Sequence, residues 1–80
     1  MDDTRKRLIG CFQVVFPDLP EAHIPIASQA TVAAWDSVAA ITMASVIEDE
    51  FGVELDLDDL ADLDSFEKIH TYLEKRLQVA

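Results

Sequence analysis

The side chains that could act as nucleophiles or bases are few: Cys11, His23, His70, and a serine, Ser37, whose place is set by its neighbours. Taken alone, Asp36-Ser37-Val38 is an ordinary helix start, with aspartate in the capping position and serine in the first turn. Its setting gives the serine more significance. It stands where a long proline-bearing loop meets an amphipathic helix, so its hydroxyl is expected to be exposed, and no residue near it in sequence is a base able to activate it. An exposed, unactivated hydroxyl suits modification by another enzyme better than catalysis by its own chain. A helix N-terminus also favours a phosphate attached there.

The remaining candidates read as structure. His23 falls in the proline-bearing loop and His70 in the last predicted helix, and neither has a nucleophile or carboxylate arranged beside it for catalysis. Cys11 falls near the apolar stripe of the first helix, the usual place of a buried thiol. As the sole cysteine it has no partner for an internal disulfide. Asp56, Asp58, Asp62, Asp64 and Glu67 occupy positions 1, 3, 7, 9 and 12 of a twelve-residue window, superficially a calcium-loop spacing. Leu60 and Ala61 stand where such a loop needs a ligand and a turn glycine, so the match reads as chance and no metal ligand is assigned.

The elements that position Ser37 follow from periodicity. A helix is predicted from about Asp3 to Phe16, capped by Asp2, Asp3 or Thr4. Its stripe is Leu8, Phe12, Val15 and Phe16, and Pro17 ends it. Residues 17 to 35 form a long connection kept extended by Pro17, Pro20 and Pro25, with Ile24, Ile26, Val32 and Trp35 pinning it to the core. The second helix runs from about Ser37 to Phe51, with Asp36 as N-cap and Gly52 in the C′ position. Ala40, Met43, Ala44, Ile47 and Phe51 form its buried stripe, and Thr42, Ser45 and Asp49 its opposite face. Residues 53 to 63 read as a linker with one helical turn, roughly Leu57 to Ala61. The last helix follows Asp64, whose spacing to Glu67 resembles a capping box, with Phe66, Ile69, Leu73 and Leu77 on the inner face. The fold class is all-α: a small four-helix bundle with three longer helices, one short helix and a long first loop, forming a single domain over residues 1–80.

Charge sets the partners. Sixteen acids against six bases give a formal charge of −10. Between Asp36 and Glu67 there are eleven acids and no lysine or arginine. Such a surface repels nucleic acid and anionic membranes and favours basic protein patches. Self-repulsion of this density weakens a fold, and docking is a sufficient reason to tolerate it. Arg5-Lys6-Arg7 is followed by too short an apolar run for a signal peptide, and Leu8 to Phe16 is too short to span a bilayer, so the expected location is cytoplasmic.

Trp35-Asp36-Ser37-Val38, followed by Ile41, Met43, Ile47 and the run Glu48-Asp49-Glu50-Phe51-Gly52, resembles the acyl carrier protein family. Leu63, Phe66, Ile69, Tyr72 and Leu73 are similar to the family's last helix. The resemblance implies a carrier, not an enzyme. A phosphopantetheinyl transferase would attach 4′-phosphopantetheine from coenzyme A to Ser37, and the arm would hold acyl groups as thioesters. It also implies that Asp36 and Val38 serve transferase recognition. Asp36 would aid the transfer, with magnesium on the transferase, while Thr42, Ser45, Glu48 and Asp49 dock acyl-processing partners that carry basic patches. A monomer is expected. The pathway implied is fatty-acid, polyketide or related acyl biosynthesis.

Departures from the fatty-acid pattern lean towards specialised carriers. Ala33-Ala34-Trp35 replaces the usual Leu-Gly, Ala39 and Thr42 replace acids, and Ser45 replaces a methionine. The Gly-Gly of peptidyl carriers is missing. The alternatives are an aminoacyl, D-alanyl or peptidyl carrier, or an unmodified acidic docking module. Met43, Ile47 and Phe66 could line an acyl shelter, though plain core packing is the simpler expectation.

Overall fold

The structure is a computed structural model that describes residues 3–78. Asp2, one of the expected first-helix caps, lies outside the described residues. Helix α1 spans Asp3–Val15, α2 Ser37–Phe51, α3 Leu57–Leu60 and α4 Phe66–Gln78, and a 3₁₀ helix spans Glu21–Ile26. Among the described residues no strand forms, only an isolated antiparallel bridge between Ser28 and Ser65. The bundle is therefore helical, as the periodicity predicts. No helix among the described residues is long and apolar enough to cross a membrane.

One apolar cluster holds the elements together. Leu8, Cys11, Phe12 and Phe16 from α1 meet Met43, Ile47 and Phe51 from α2 and Phe66, Ile69 and Leu73 from α4. Phe12 is the hub, with its ring centroid 5.2 Å from Phe66, 5.4 Å from Trp35 and 6.1 Å from Phe16. No polar or charged residue is buried with them among the described residues. Burial of such side chains is the main source of stability in a domain this small, at about 1.5–3 kcal/mol for each large one fully buried.

The long connection is more structured than its prolines suggest. Its 3₁₀ helix contains Pro25 and buries Ile24 completely. This short form tolerates a proline whose N–H is not needed as a donor. Beyond it, the Phe66 N–H donates to the Ala27 carbonyl and the Gln29 N–H to the Asp64 carbonyl, both at 2.9 Å, tying the loop to the start of α4. The Thr31 and Val32 N–H groups then turn the chain by donating to the Ser28 carbonyl at 3.1 and 2.8 Å. This path delivers Trp35 into the core and Ser37 to the surface.

Three expectations are corrected. Ile26 does not pin the loop, since it ends the 3₁₀ helix on the solvent side and is 75% exposed, while Ile24 takes the inward position. Asp64 does not cap α4. Ser65 does, its Oγ accepting the Lys68 N–H at 3.2 Å, while Asp64 forms an ion pair with Lys68 at 3.0 Å. Leu77 is 42% exposed, because α4 extends past the core after Leu73.

Candidate functional site

Helix α2 is bounded by two local devices. At its start, Asp36 has extended backbone and its Oδ1 accepts the Ala39 N–H at 2.9 Å. At its end, Gly52 adopts φ 65°, a left-handed conformation that costs other residues about 1–2 kcal/mol, and its N–H donates to the Glu48 carbonyl at 2.8 Å. Fifteen residues at helical rise make α2 about 22 Å long. Ser37 is its first residue and is exposed. Among the described residues, no side-chain base is hydrogen-bonded to the Ser37 hydroxyl.

The first turn of α2 fits a phosphate ester on Ser37. It contains no acid and the positive end of the helix dipole lies there, with the Ala39 and Ala40 N–H groups taken by Asp36 and those of Ser37 and Val38 left at the helix end. The nearest carboxylate, Asp36, is engaged as the cap. Removing that cap has a measurable cost. Asp36→Ala is expected to lose about 1 kcal/mol of stability and Asp36→Asn almost none, since asparagine caps equally well. Chemical denaturation of the two variants checks this.

Past the Asp36 cap, the exposed face of α2 is apolar and neutral before it becomes acidic. Val38 is 71% exposed and Ile41 is 56% exposed. Ile41 stands three residues from Val38, a helical spacing that puts the two on the same face. Thr42, Ser45 and Asp49 are also exposed on α2. Glu48 differs from the other expected docking residues. It is half-buried, and its Oε2 accepts the Leu55 N–H at 2.8 Å, holding the linker that follows α2. No local sequence signal announces that bond.

The acids of α2 are Glu48, Asp49 and Glu50, all beside its C-terminus, where a negative charge opposes the helix dipole. Arg7 offsets part of this. Its Nε donates to Glu50 Oε2 at 2.8 Å, its Nη2 donates to the Glu50 carbonyl, and its guanidinium lies 4.5 Å from the Phe51 ring centroid. The basic end of the chain thus folds back onto the acidic end of α2.

The other candidate residues are kept apart from Ser37. Cys11 is in the core, 3% exposed, and burial, with the nearby Glu50 charge, pushes its thiol up to about 11. His23 is exposed on the 3₁₀ helix. His70 stacks on Phe66, at 6.0 Å between centroids, and faces Glu74 at 3.7 Å. Of the acids in the calcium-like window, Asp64 pairs with Lys68, and no group of three or more metal-ligating side chains forms among the described residues. Met43, Ile47 and Phe66 are core residues, and Met43 and Ile47 also line a cavity of about 10 Å³ beneath α2.

A family model described as a phosphopantetheine attachment site matches residues 34–73. The matched stretch runs from the residue before Trp35, through α2 and α3, to Leu73 on α4. No curated protein and no solved structure matches the chain.

Proposed function

The chain belongs to the family of phosphopantetheine attachment domains, carriers whose cofactor is covalently bound 4′-phosphopantetheine, and on that premise we propose that Ser37 is the attachment residue of a non-catalytic acyl carrier. The observation that carries the choice of residue is the exposed Ser37 hydroxyl at the N-terminus of α2. The matched stretch holds two other serines, Ser45 and Ser65. Ser45 is the ninth residue of α2, far from any helix end. The Ser65 hydroxyl caps α4 by accepting the Lys68 N–H.

In this reading Ser37 Oγ attacks the pantetheine-bearing phosphorus of coenzyme A, the bond from that phosphorus to the bridging pyrophosphate oxygen breaks, 3′,5′-ADP leaves with that oxygen, and the serine proton passes to a base of the transferase. Asp36 holds the start of α2 in shape for that reaction, and Val38 offers the transferase an apolar contact beside the serine. When bound, the arm supplies a terminal thiol that holds an acyl group as a thioester. Thr42, Ser45 and Asp49 face the enzymes that process the cargo, while Glu48 acts indirectly by fixing the linker after α2. The acids beyond α2 extend this surface towards basic patches on partners, with association that weakens as salt rises.

The proposed setting is the cytoplasm and the proposed pathway specialised acyl or polyketide synthesis, favoured over housekeeping fatty-acid synthesis by the neutral first turns of α2. An aminoacyl or peptidyl carrier is the second reading, favoured by the same scarcity of acids near Ser37.

The buried thiol makes a clean test possible. Cys11 is 3% exposed and its pKa is raised to about 11, so it is shielded and almost fully protonated at neutral pH. A thiol-alkylating reagent is expected to label the native unmodified protein hardly at all, and the protein carrying the arm once. Equal labelling of both forms would count against an arm on this chain. The same group predicts alkaline sensitivity. Its folded pKa lies above the ordinary 9.0, so its neutral burial stabilises the fold below that value and the gain is lost as pH rises towards about 11.

A further inference from the structure

The core holds one polar atom without a partner. Trp35 is 4% exposed, and its Nε1–H is buried with no acceptor among the described residues. Leaving such a donor unpaired costs about 1–3 kcal/mol. Packing alone does not call for it. The ring sits among Phe12 and Phe16, at 5.4 and 5.7 Å between centroids, and those contacts use its aromatic faces and edges.

Trp35 also forms part of the wall of the cavity beneath α2, whose other lining side chains are apolar, among them Met43, Ile47, Leu55, Leu63 and Ile69. At about 10 Å³ the cavity is the size of one water, so a chain can enter only by moving a wall. One wall bears Leu55 and Leu60. It belongs to the linker and the four-residue α3, held by the Glu48–Leu55 bond and by a 3.0 Å bond from the Tyr72 hydroxyl to Asp59 Oδ2. Linkers and single-turn helices open at lower free energy than packed core helices. Trp35 lies two residues before the serine that would carry the cargo.

We propose that the Trp35 Nε1–H is a specificity-determining donor that selects acyl cargo bearing a keto or hydroxyl oxygen along its chain. The inference rests on the reading of Ser37 as the cargo-bearing residue. A saturated chain in this cavity gains apolar contact but leaves the N–H unpaired. An oxygenated chain brings a polar group into an apolar space, and Trp35 carries the one side-chain donor among the residues that line it. Pairing the two removes both penalties at once, which gives discrimination of the kind that matched buried polar groups provide.

Trp35 is the only tryptophan, so its indole N–H gives a single isolated resonance. The test loads the unmodified chain, by a broad-range transferase, from coenzyme A thioesters of a saturated acyl chain and of β-keto and δ-keto chains of equal length. Intact mass and fragmentation first confirm loading on Ser37. Hydrogen exchange of the indole is then expected to be about tenfold or more slower with at least one ketoacyl form than with the saturated form, the range expected from satisfying a buried donor. That form should also have the higher Tm, and Trp35→Phe, which keeps a ring but removes the donor, should abolish the difference. Indole exchange equal in all three loaded forms, or a Tm difference that survives in Trp35→Phe, overturns the role of Trp35 while leaving the carrier reading intact. Absence of loading on Ser37 overturns both.

Discussion

Truncating Phe12 to alanine is expected to destabilise the protein by about 3–5 kcal/mol, the usual cost of deleting a buried aromatic ring. Phe12 is fully buried and its ring contacts those of Phe16, Trp35 and Phe66, so one substitution removes the contact between α1, the end of the long loop and α4. The surrounding rings are too large and too constrained to collapse into the space. In a domain of 80 residues, total stability is of order 4–12 kcal/mol, so the variant should sit near the edge of folding. Thermal denaturation should show Tm falling by roughly 15–30 °C. A fall of only a few degrees would mean that the core is not centred on this ring. The functional consequence follows from the same contacts. Trp35 packs on Phe12 and sits two residues before Ser37, so loosening this cluster should also loosen the start of α2.

Replacing Ser37 by alanine should have the opposite profile, a total loss of function with almost no loss of stability. The hydroxyl is exposed and the cap of α2 belongs to Asp36, so folding does not depend on it. Alanine is also a good helix residue. Stability should therefore change by no more than about 0.5 kcal/mol, as for other surface substitutions. Arm attachment, and every acyl transfer that needs it, should vanish. A variant that unfolds would show that Ser37 has a structural role absent from this account. One that still supports acyl transfer would move the attachment elsewhere.

Most of what positions Ser37 is legible in the chain because its determinants are local. Asp36 and Gly52 punctuate α2 at both ends, and the helix occupies the residues between them. The Leu8, Phe12 and Phe16 stripe and the Met43, Ile47 and Phe51 stripe both end up in the core for the same reason: helical spacing decides which side chains face inward. The misreadings occur where two neighbouring residues can each do the job. Asp64 and Ser65 can both cap a helix, and the choice fell to Ser65 once Lys68 drew Asp64 into an ion pair. Ile24 and Ile26 are both apolar, but a 3₁₀ turn buries only the first. Pro20 and Pro25 concealed that turn, since prolines ordinarily signal extended chain. Within the site, the serine and its cap could be read, whereas the Glu48–Leu55 bond, the Arg7–Glu50 clamp and the unpaired Trp35 N–H depend on contacts that no periodicity encodes.

The proposed carrier function depends on attachment of an arm at Ser37. The most direct measurement is the intact mass of the purified protein after incubation with coenzyme A, magnesium and a broad-range phosphopantetheinyl transferase, followed by fragmentation of the modified peptide. A single phosphopantetheine addition is expected, located on Ser37 and absent from Ser37→Ala. No addition, an addition on Ser45 or Ser65, or one that persists in the alanine variant would contradict it.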